Sequence, residues 1–248
     1  MFMMRLFRRI RKALSLIRNA GYRRGLRVGV GAAIEHERIL KSLLCRTVVD
    51  VGANRGQFAL VARGCFPDAK IHSFEPLAGP REQFGKVFSG DANVALYPLA
   101  LGDEVGEQTI HVSARDDSSS LLPIGDLQSQ LFPGTAEARQ ETISISTLER
   151  VIGAKEIVHP ALLKLDVQGY ELSALQGCGE LLRRFRYIYV ECSFVELYEG
   201  QALASEIVAY LLARNFKLNG AYNLHYDPMG IAVQCDLLFE SHADGVPH

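Results

Sequence analysis

Thr47-Val48-Val49-Asp50-Val51-Gly52-Ala53-Asn54-Arg55-Gly56-Gln57-Phe58 is the stretch whose reading decides the fold. A β-branched apolar run ends in an acid, turns through Gly52, and passes Gly56 into a helical pattern. That order predicts a strand, a tight turn and a helix N-terminus. Gly52 lets the backbone turn sharply and come close to a ligand. The helix opening near Gly56 offers unpaired N–H groups and a positive dipole end. The spacing D-x-G-x-x-x-G differs from the dinucleotide fingerprint G-x-G-x-x-G. A carboxylate ahead of the turn would repel a pyrophosphate, and it suits a ligand with an ammonium or sulfonium charge.

Residues 70–75, Lys70-Ile71-His72-Ser73-Phe74-Glu75, read as the next strand, ending in an acid 25 positions after Asp50. A carboxylate at that tip can accept both hydroxyls of a ribose, as in doubly wound nucleotide sites. Among common nucleoside cofactors, S-adenosylmethionine has the ribose, the ammonium and the sulfonium together.

At 248 residues the chain can bury one large α/β core. Its charge is unevenly spread. Residues 1–27 hold nine basic residues and no acid, leaving 18 of the 27 basic residues against all 28 acids. Leu6, Ile10, Ala13, Leu14 and Ile17 recur at helical steps within 3–19, with arginines between them. Such a helix can lie on an anionic membrane surface, pack its stripe on the domain, or form a nucleic-acid patch. Five scattered cysteines (Cys45, Cys65, Cys178, Cys192 and Cys235) fit neither a disulfide framework nor a zinc site. They suit a reducing compartment. The sequence has no apolar run of membrane-spanning length, and no secretory h-region follows the basic start.

In chain order, glycine-rich 21–33 reads as a linker or irregular cover, and 34–44 as a short helix. Helix 57–65, helix 81–88 and strand 93–99 follow, then strand 108–112 and a long polar loop over 113–139 that could cover the site. Strand 142–146 leads into a helix that Ser146 or Thr147 can cap. Strand 161–166, helix 171–178, strand 187–191 and helix 206–214 come next, and strands 217–222 and 231–239 flank a turn. Alternating strands and helices predict a mostly parallel sheet with helices on both faces. Asp50, Glu75, Asp166 and Glu191 all fall at the strands' carboxyl ends, the ligand edge of such sheets. Each can also be read as a helix cap or first-turn acid.

Val49-Asp50-Val51-Gly52-Ala53-Asn54-Arg55-Gly56, Phe74-Glu75-Pro76, Ala100-Leu101-Gly102-Asp103 and Leu163-Lys164-Leu165-Asp166-Val167-Gln168-Gly169-Tyr170-Glu171 together resemble the FkbM family of S-adenosylmethionine-dependent methyltransferases. The resemblance covers about residues 45–240, between a basic helical extension (1–44) and a loose tail (241–248). It implies a class I, Rossmann-like α/β fold: a seven-stranded, mostly parallel sheet with an antiparallel terminal strand. It implies methyl transfer to a hydroxyl oxygen of a small-molecule or lipid-linked sugar, in a glycolipid, surface polysaccharide or glycosylated natural product. By position, Asp50, Gly52, Asn54 and Gly56 would cradle the methionine part. Phe74 and Glu75 would hold the ribose end, and Leu101 and Asp103 would lie near the adenine. Ser146-Thr147-Leu148-Glu149-Arg150 departs from the family, whose members often carry an acidic pair there.

For a base that takes the hydroxyl proton, Asp166 is the first candidate, Glu191 the second and His225 the third. Lys164 shares a sheet face with Asp166 and could turn it into an orienting acceptor instead. No metal ligands are assigned, although the acids at this edge would also suit a metal-assisted variant. The expected location is cytoplasmic, with residues 1–27 available for peripheral contact at the inner face of an anionic membrane, and no nucleic acid is expected as a partner. Two other readings are an N- or protein-directed methyltransferase, weakened by the lack of an N-P-P-Y-like tetrapeptide after the fourth strand, and a non-catalytic nucleic-acid-binding module.

Overall fold

The computed structural model describes residues 19–242. Two strands anchor the sheet. Thr47–Val51 (β1) and Ala161–Leu165 (β7) are buried at every position, as parallel strands covered on both faces should be. They pair in parallel, Val49 opposite Leu163. Lys70–Phe74 (β2) and Val94–Tyr97 (β3) extend the sheet on one side, and Tyr187–Ser193 (β8) on the other.

Ala232–Ser241 (β10) runs antiparallel between β8 and Phe216–Tyr226 (β9). The order is β3-β2-β1-β7-β8-β10-β9. This is the expected class I methyltransferase sheet, with β10 as its one reversed strand among the described residues.

Side-chain alternation divides the core into two layers. Val48, Ile71, Leu162, Tyr189 and Leu238 face one layer, with helices Ala20–Arg27 (α1), Glu37–Leu40 (α2), Gln57–Cys65 (α3) and Ala78–Phe88 (α4). Val49, Leu163, Leu165, Ile188, Val190 and Phe239 face the other. Residues of Leu148–Val151 (α6), Glu171–Gln176 (α7) and Ala204–Leu212 (α8) cover that second layer. Each large side chain so enclosed contributes roughly 1.5–3 kcal/mol.

Several sequence expectations are corrected. Residues 21–27 of the expected linker belong to α1, capped by the Asn19 side chain, which accepts from Gly21 N at 2.8 Å. Tyr22 on this helix is 1 % exposed and belongs to the same apolar cluster as α3, so residues 20–44 share the core of the main sheet. The expected helix over 34–44 is one 3-10 turn, Ile34–His36, followed by the short α2.

Strand 108–112 is part of Gly106–Ser113 (β5), which stands outside the main sheet. It pairs with Glu137–Ser146 (β6), and β6 also pairs with Ala100–Leu101 (β4), making a second sheet of order β4-β6-β5. The expected loop 113–139 holds a 3-10 turn (Asp116–Ser118), a helix (Asp126–Leu131, α5) and the first residues of β6. Thr147 stands at the start of α6, but its side chain makes no capping bond. β9 runs on to Tyr226, past the expected 222.

The basic helix expected over 3–19 lies outside the described residues except for Asn19. The expected tail lies outside them apart from Ser241 and His242, Ser241 being the last residue of β10.

Candidate active site

The sheet changes winding direction between β1 and β7, and a crevice of about 550 Å³ opens at their carboxyl ends. An open α/β sheet places its ligand at this switch point. The second sheet and the 116–121 segment supply part of the wall.

At the floor, Lys164 Nζ lies 3.1 Å from Asp50 Oδ1 and 3.6 Å from Asp166 Oδ2. It donates to the Gly52 carbonyl at 3.0 Å. Asp50 is fully buried and does not line the crevice. Its side chain stands beneath the wall and reaches the site through Lys164. Because Lys164 is turned toward backbone carbonyls, neither Asp50 oxygen accepts a well-aligned hydrogen bond among the described residues. Burial pushes the Asp50 carboxyl up, with the Lys164 charge opposing. Burial works against the Lys164 charge, but Asp50 and Asp166 outweigh it and hold the ammonium well above its ordinary range.

Gly52 lines the crevice at φ +76°, and a Cβ there would overlap the Asp166 carbonyl oxygen. Its bareness therefore lets the loops after β1 and β7 pack together. Gly56, at φ +92°, does not line the crevice; a Cβ there would stand 2.7 Å from Phe88 and 3.0 Å from Phe84. Its role is to seat α3 against α4.

Glu75 follows β2 and is 5 % exposed. Its Oε2 accepts from Asn54 N at 2.9 Å and its Oε1 from Leu77 N at 2.8 Å. Burial pushes it up to about 7 against those two N–H groups. Each oxygen keeps a lone pair for a further donor. Phe74 and Leu101 line the same part of the crevice with Leu77 and Ile110. Asp103 does not line it. Gly102 N bonds the Ser146 carbonyl at 3.1 Å, so the chain leaves the crevice for the second sheet, and Asp103 stays exposed.

Asp166 and Glu191 both line the crevice and are joined by an amide. Gln168 Nε2 donates to Asp166 Oδ1 at 2.6 Å and to Glu191 Oε2 at 2.9 Å, and Gln168 Oε1 accepts from Tyr198 OH at 2.7 Å. Burial, with Asp166 and then Asp236 as neighbouring charges, pushes Glu191 well up. His225 lies exposed among the lining residues, its ring 6.1 Å from that of Phe132. It has no ion-pair partner among the described residues.

A second polar group lines the crevice and was not anticipated from sequence: His36, Asn223 and Asp236, with Tyr189 behind them. Asp236 lies opposite Glu191 in the β10–β8 register. Burial pushes Asp236 up, with His36 and Asn223 opposing.

Among known proteins, the methyltransferase FkbM domain family matches residues 50–218, more than half of the chain. The chain belongs to the FkbM methyltransferase family. It is 28 % identical over 190 residues to 2-O-methyltransferase NoeI of Sinorhizobium fredii, covering 71 % of this chain and 76 % of that protein. A precorrin-6y C5,15-methyltransferase from Geobacter metallireducens superposes with a TM-score of 0.46 at 10 % identity, over 84 % of this chain and 88 % of the other. An rRNA methylase from Streptococcus thermophilus gives 0.42 at 12 %, over 83 % and 93 %. The FkbM match takes in Asp50, Glu75, Lys164, Asp166 and Glu191, and leaves out His36, Asn223, His225 and Asp236.

Proposed function

We propose that this FkbM methyltransferase uses S-adenosylmethionine to methylate a hydroxyl oxygen of a sugar, free or lipid-linked. The observation that carries the reading is Glu75: a buried carboxylate at the tip of β2, fixed by two backbone N–H groups, with lone pairs left for hydroxyl donors. The donor set fits the cofactor. Glu75 would hold the ribose hydroxyls, and Phe74, Leu77, Leu101 and Ile110 would enclose the adenine. Asp166 supplies negative charge of the kind an ammonium and a sulfonium call for.

When bound, S-adenosylmethionine supplies a methyl group on a positively charged sulfur. The chain's own contribution is alignment of the acceptor oxygen, worth up to roughly 7–11 kcal/mol, and removal of its proton. The Lys164 and Gln168 contacts tie Asp166 down, which favours it as an orienting acceptor over a free base. The relative's name, a 2-O-methyltransferase, supports oxygen as the accepting atom.

The basic residues of 1–27 would hold the enzyme at the inner face of an anionic membrane, beside a lipid-linked acceptor. No helix among the described residues is long and apolar enough to cross a membrane. Deleting 1–18, which leaves α1 and its buried Tyr22 in place, should abolish co-sedimentation with anionic liposomes; persistent binding would refute that placement. The reaction itself is tested by calorimetry with S-adenosylhomocysteine and by incubation with methyl-labelled S-adenosylmethionine and total lipid or polysaccharide extract. Heat of binding and label in a sugar fraction are expected. A folded chain that binds no S-adenosylhomocysteine would overturn the reading.

A further inference from the structure

His36 Nδ1 lies 3.0 Å from Tyr189 OH and 3.5 Å from Asp236 Oδ2. Tyr189 OH donates to Asp236 Oδ2 at 3.0 Å, and Asn223 Nδ2 donates to the same oxygen at 2.7 Å. We assign the histidine tautomer from these contacts. The tyrosine's hydrogen goes to the carboxylate, so its oxygen accepts, and the ring faces it with Nδ1–H. Asn223 Nδ2 lies 3.3 Å from the tyrosine oxygen and 3.2 Å from Nδ1; one of its hydrogens goes to Asp236, and in this assignment the other goes to the tyrosine oxygen.

Nε2 is then the ring's proton acceptor, and it has no hydrogen-bond partner among the described residues. The ring is held edge-on between Phe58 and Tyr189, with centroids at 5.4 and 5.6 Å. Lys164 Nζ stands over the same Phe58 ring at 5.4 Å, which puts His36 beside the floor of the crevice it lines.

We infer that His36 is the general base for the acceptor hydroxyl, oriented through Tyr189 by Asp236. The inference rests on the O-methyl-transfer reading above. The other candidates are less suited: Asp166 is tied to Lys164 and Gln168, Glu191 accepts from Gln168, and nothing orients His225 with a carboxylate. His111 has a carboxylate partner in Glu137, but it does not line the crevice.

In the step itself, the acceptor's O–H bond breaks as its oxygen bonds to the methyl carbon. The proton goes to His36 Nε2, and the pair from the broken C–S bond stays on sulfur. His36 and Asp236 lie outside the matched span 50–218, and Tyr189 between them lies within it.

Two measurements on the full chain test it. Nitrogen-15 NMR of the labelled histidines, with His36 assigned through His36→Gln, should show Nδ1 protonated and Nε2 bare in the neutral ring. An Nε2–H ring would overturn the relay, whatever the acceptor is. In the labelling assay with total lipid or polysaccharide extract, His36→Ala should bind S-adenosylhomocysteine with unchanged affinity and lose on the order of 10²–10⁴-fold in turnover.

Added imidazole should restore part of that loss, and His36→Asn should not, since it keeps a donor near Nδ1 and lacks the base. Wild-type labelling by His36→Ala, or a loss that imidazole leaves untouched, would overturn the assignment. If the wild-type chain itself labels nothing, the transferase reading fails, and the NMR result still decides the relay.

Discussion

Lys164 Nζ and Asp50 Oδ1 form an ion pair of 3.1 Å beneath the crevice, with the side chains 6 % and 0 % exposed. Both charges have left water, and neither can be stranded cheaply. Removing one partner of a buried pair costs about 3–5 kcal/mol, whereas replacing both with apolar groups is often neutral. Lys164→Met should therefore destabilise the chain by about that amount in urea unfolding. The Asp50→Leu/Lys164→Met double variant should recover most of it. A single variant as stable as wild type would show that the pair carries no charge.

Glu75 links pH to both folding and binding. Its carboxyl is raised from the ordinary 4.5 to about 7 by burial. The native state thus holds a proton that the unfolded chain has released between those values. The stabilisation, about 3 kcal/mol, is complete below about pH 4.5 and is lost as pH rises through about 7. Glu75→Gln should flatten that decline in denaturant titrations at successive pH values. Hydrogen bonds to a charged group are worth about 1.5–3 kcal/mol, so the same variant should bind S-adenosylhomocysteine about 10- to 100-fold more weakly. An unchanged affinity would remove Glu75 from the cofactor site.

Gly52→Ala should destabilise the fold by at least about 1–3 kcal/mol from its left-handed backbone alone. The added methyl also has no room beside the Asp166 carbonyl. Thermal unfolding without ligand is the direct check. Full stability with weakened cofactor binding would return Gly52 to the ligand-approach role read from its sequence.

Asp166→Asn should keep cofactor binding and lose most turnover in the labelling assay, because Lys164 and Gln168 both lose a charged partner at the floor. Turnover equal to wild type would exclude a role for this carboxylate.

Tyr198 ties the covering segment to the site, its hydroxyl donating to Gln168 Oε1 at 2.7 Å and standing 3.1 Å from the Ser118 carbonyl. Tyr198→Phe should cost about 1–3 kcal/mol, since the amide oxygen loses a buried donor. Hydrogen exchange of the 116–121 amides should quicken. Exchange at the wild-type rate would mean that the segment is held by other contacts.

What could be read in the sequence follows from what each residue does in the fold. β1 and β7 were legible because strands buried on both faces are rich in apolar residues, Asp50 and Lys164 being the charged exceptions that pair with each other. Glu75 and Asp166 were legible because each ends such a run. His36 was not, since it follows a glycine-rich stretch with no periodicity and gains its meaning only from Tyr189 and Asp236, 153 residues and 200 residues away in sequence. Asp236 sits within an apolar strand, and nothing local shows that β10 is enclosed between β8 and β9. Ala100–Leu101 is too short to display alternation, so two strands of the second sheet were legible without any sign that they form a sheet apart. Gln168 stands at φ +55° in a turn, and its amide bridge depends on Glu191, 23 residues on.

Residues 31–36 and 223–236 contribute to the crevice from opposite ends of the described chain, both beyond the span shared with the family. Truncation at either end therefore strips lining from the crevice even where the central strands are left whole.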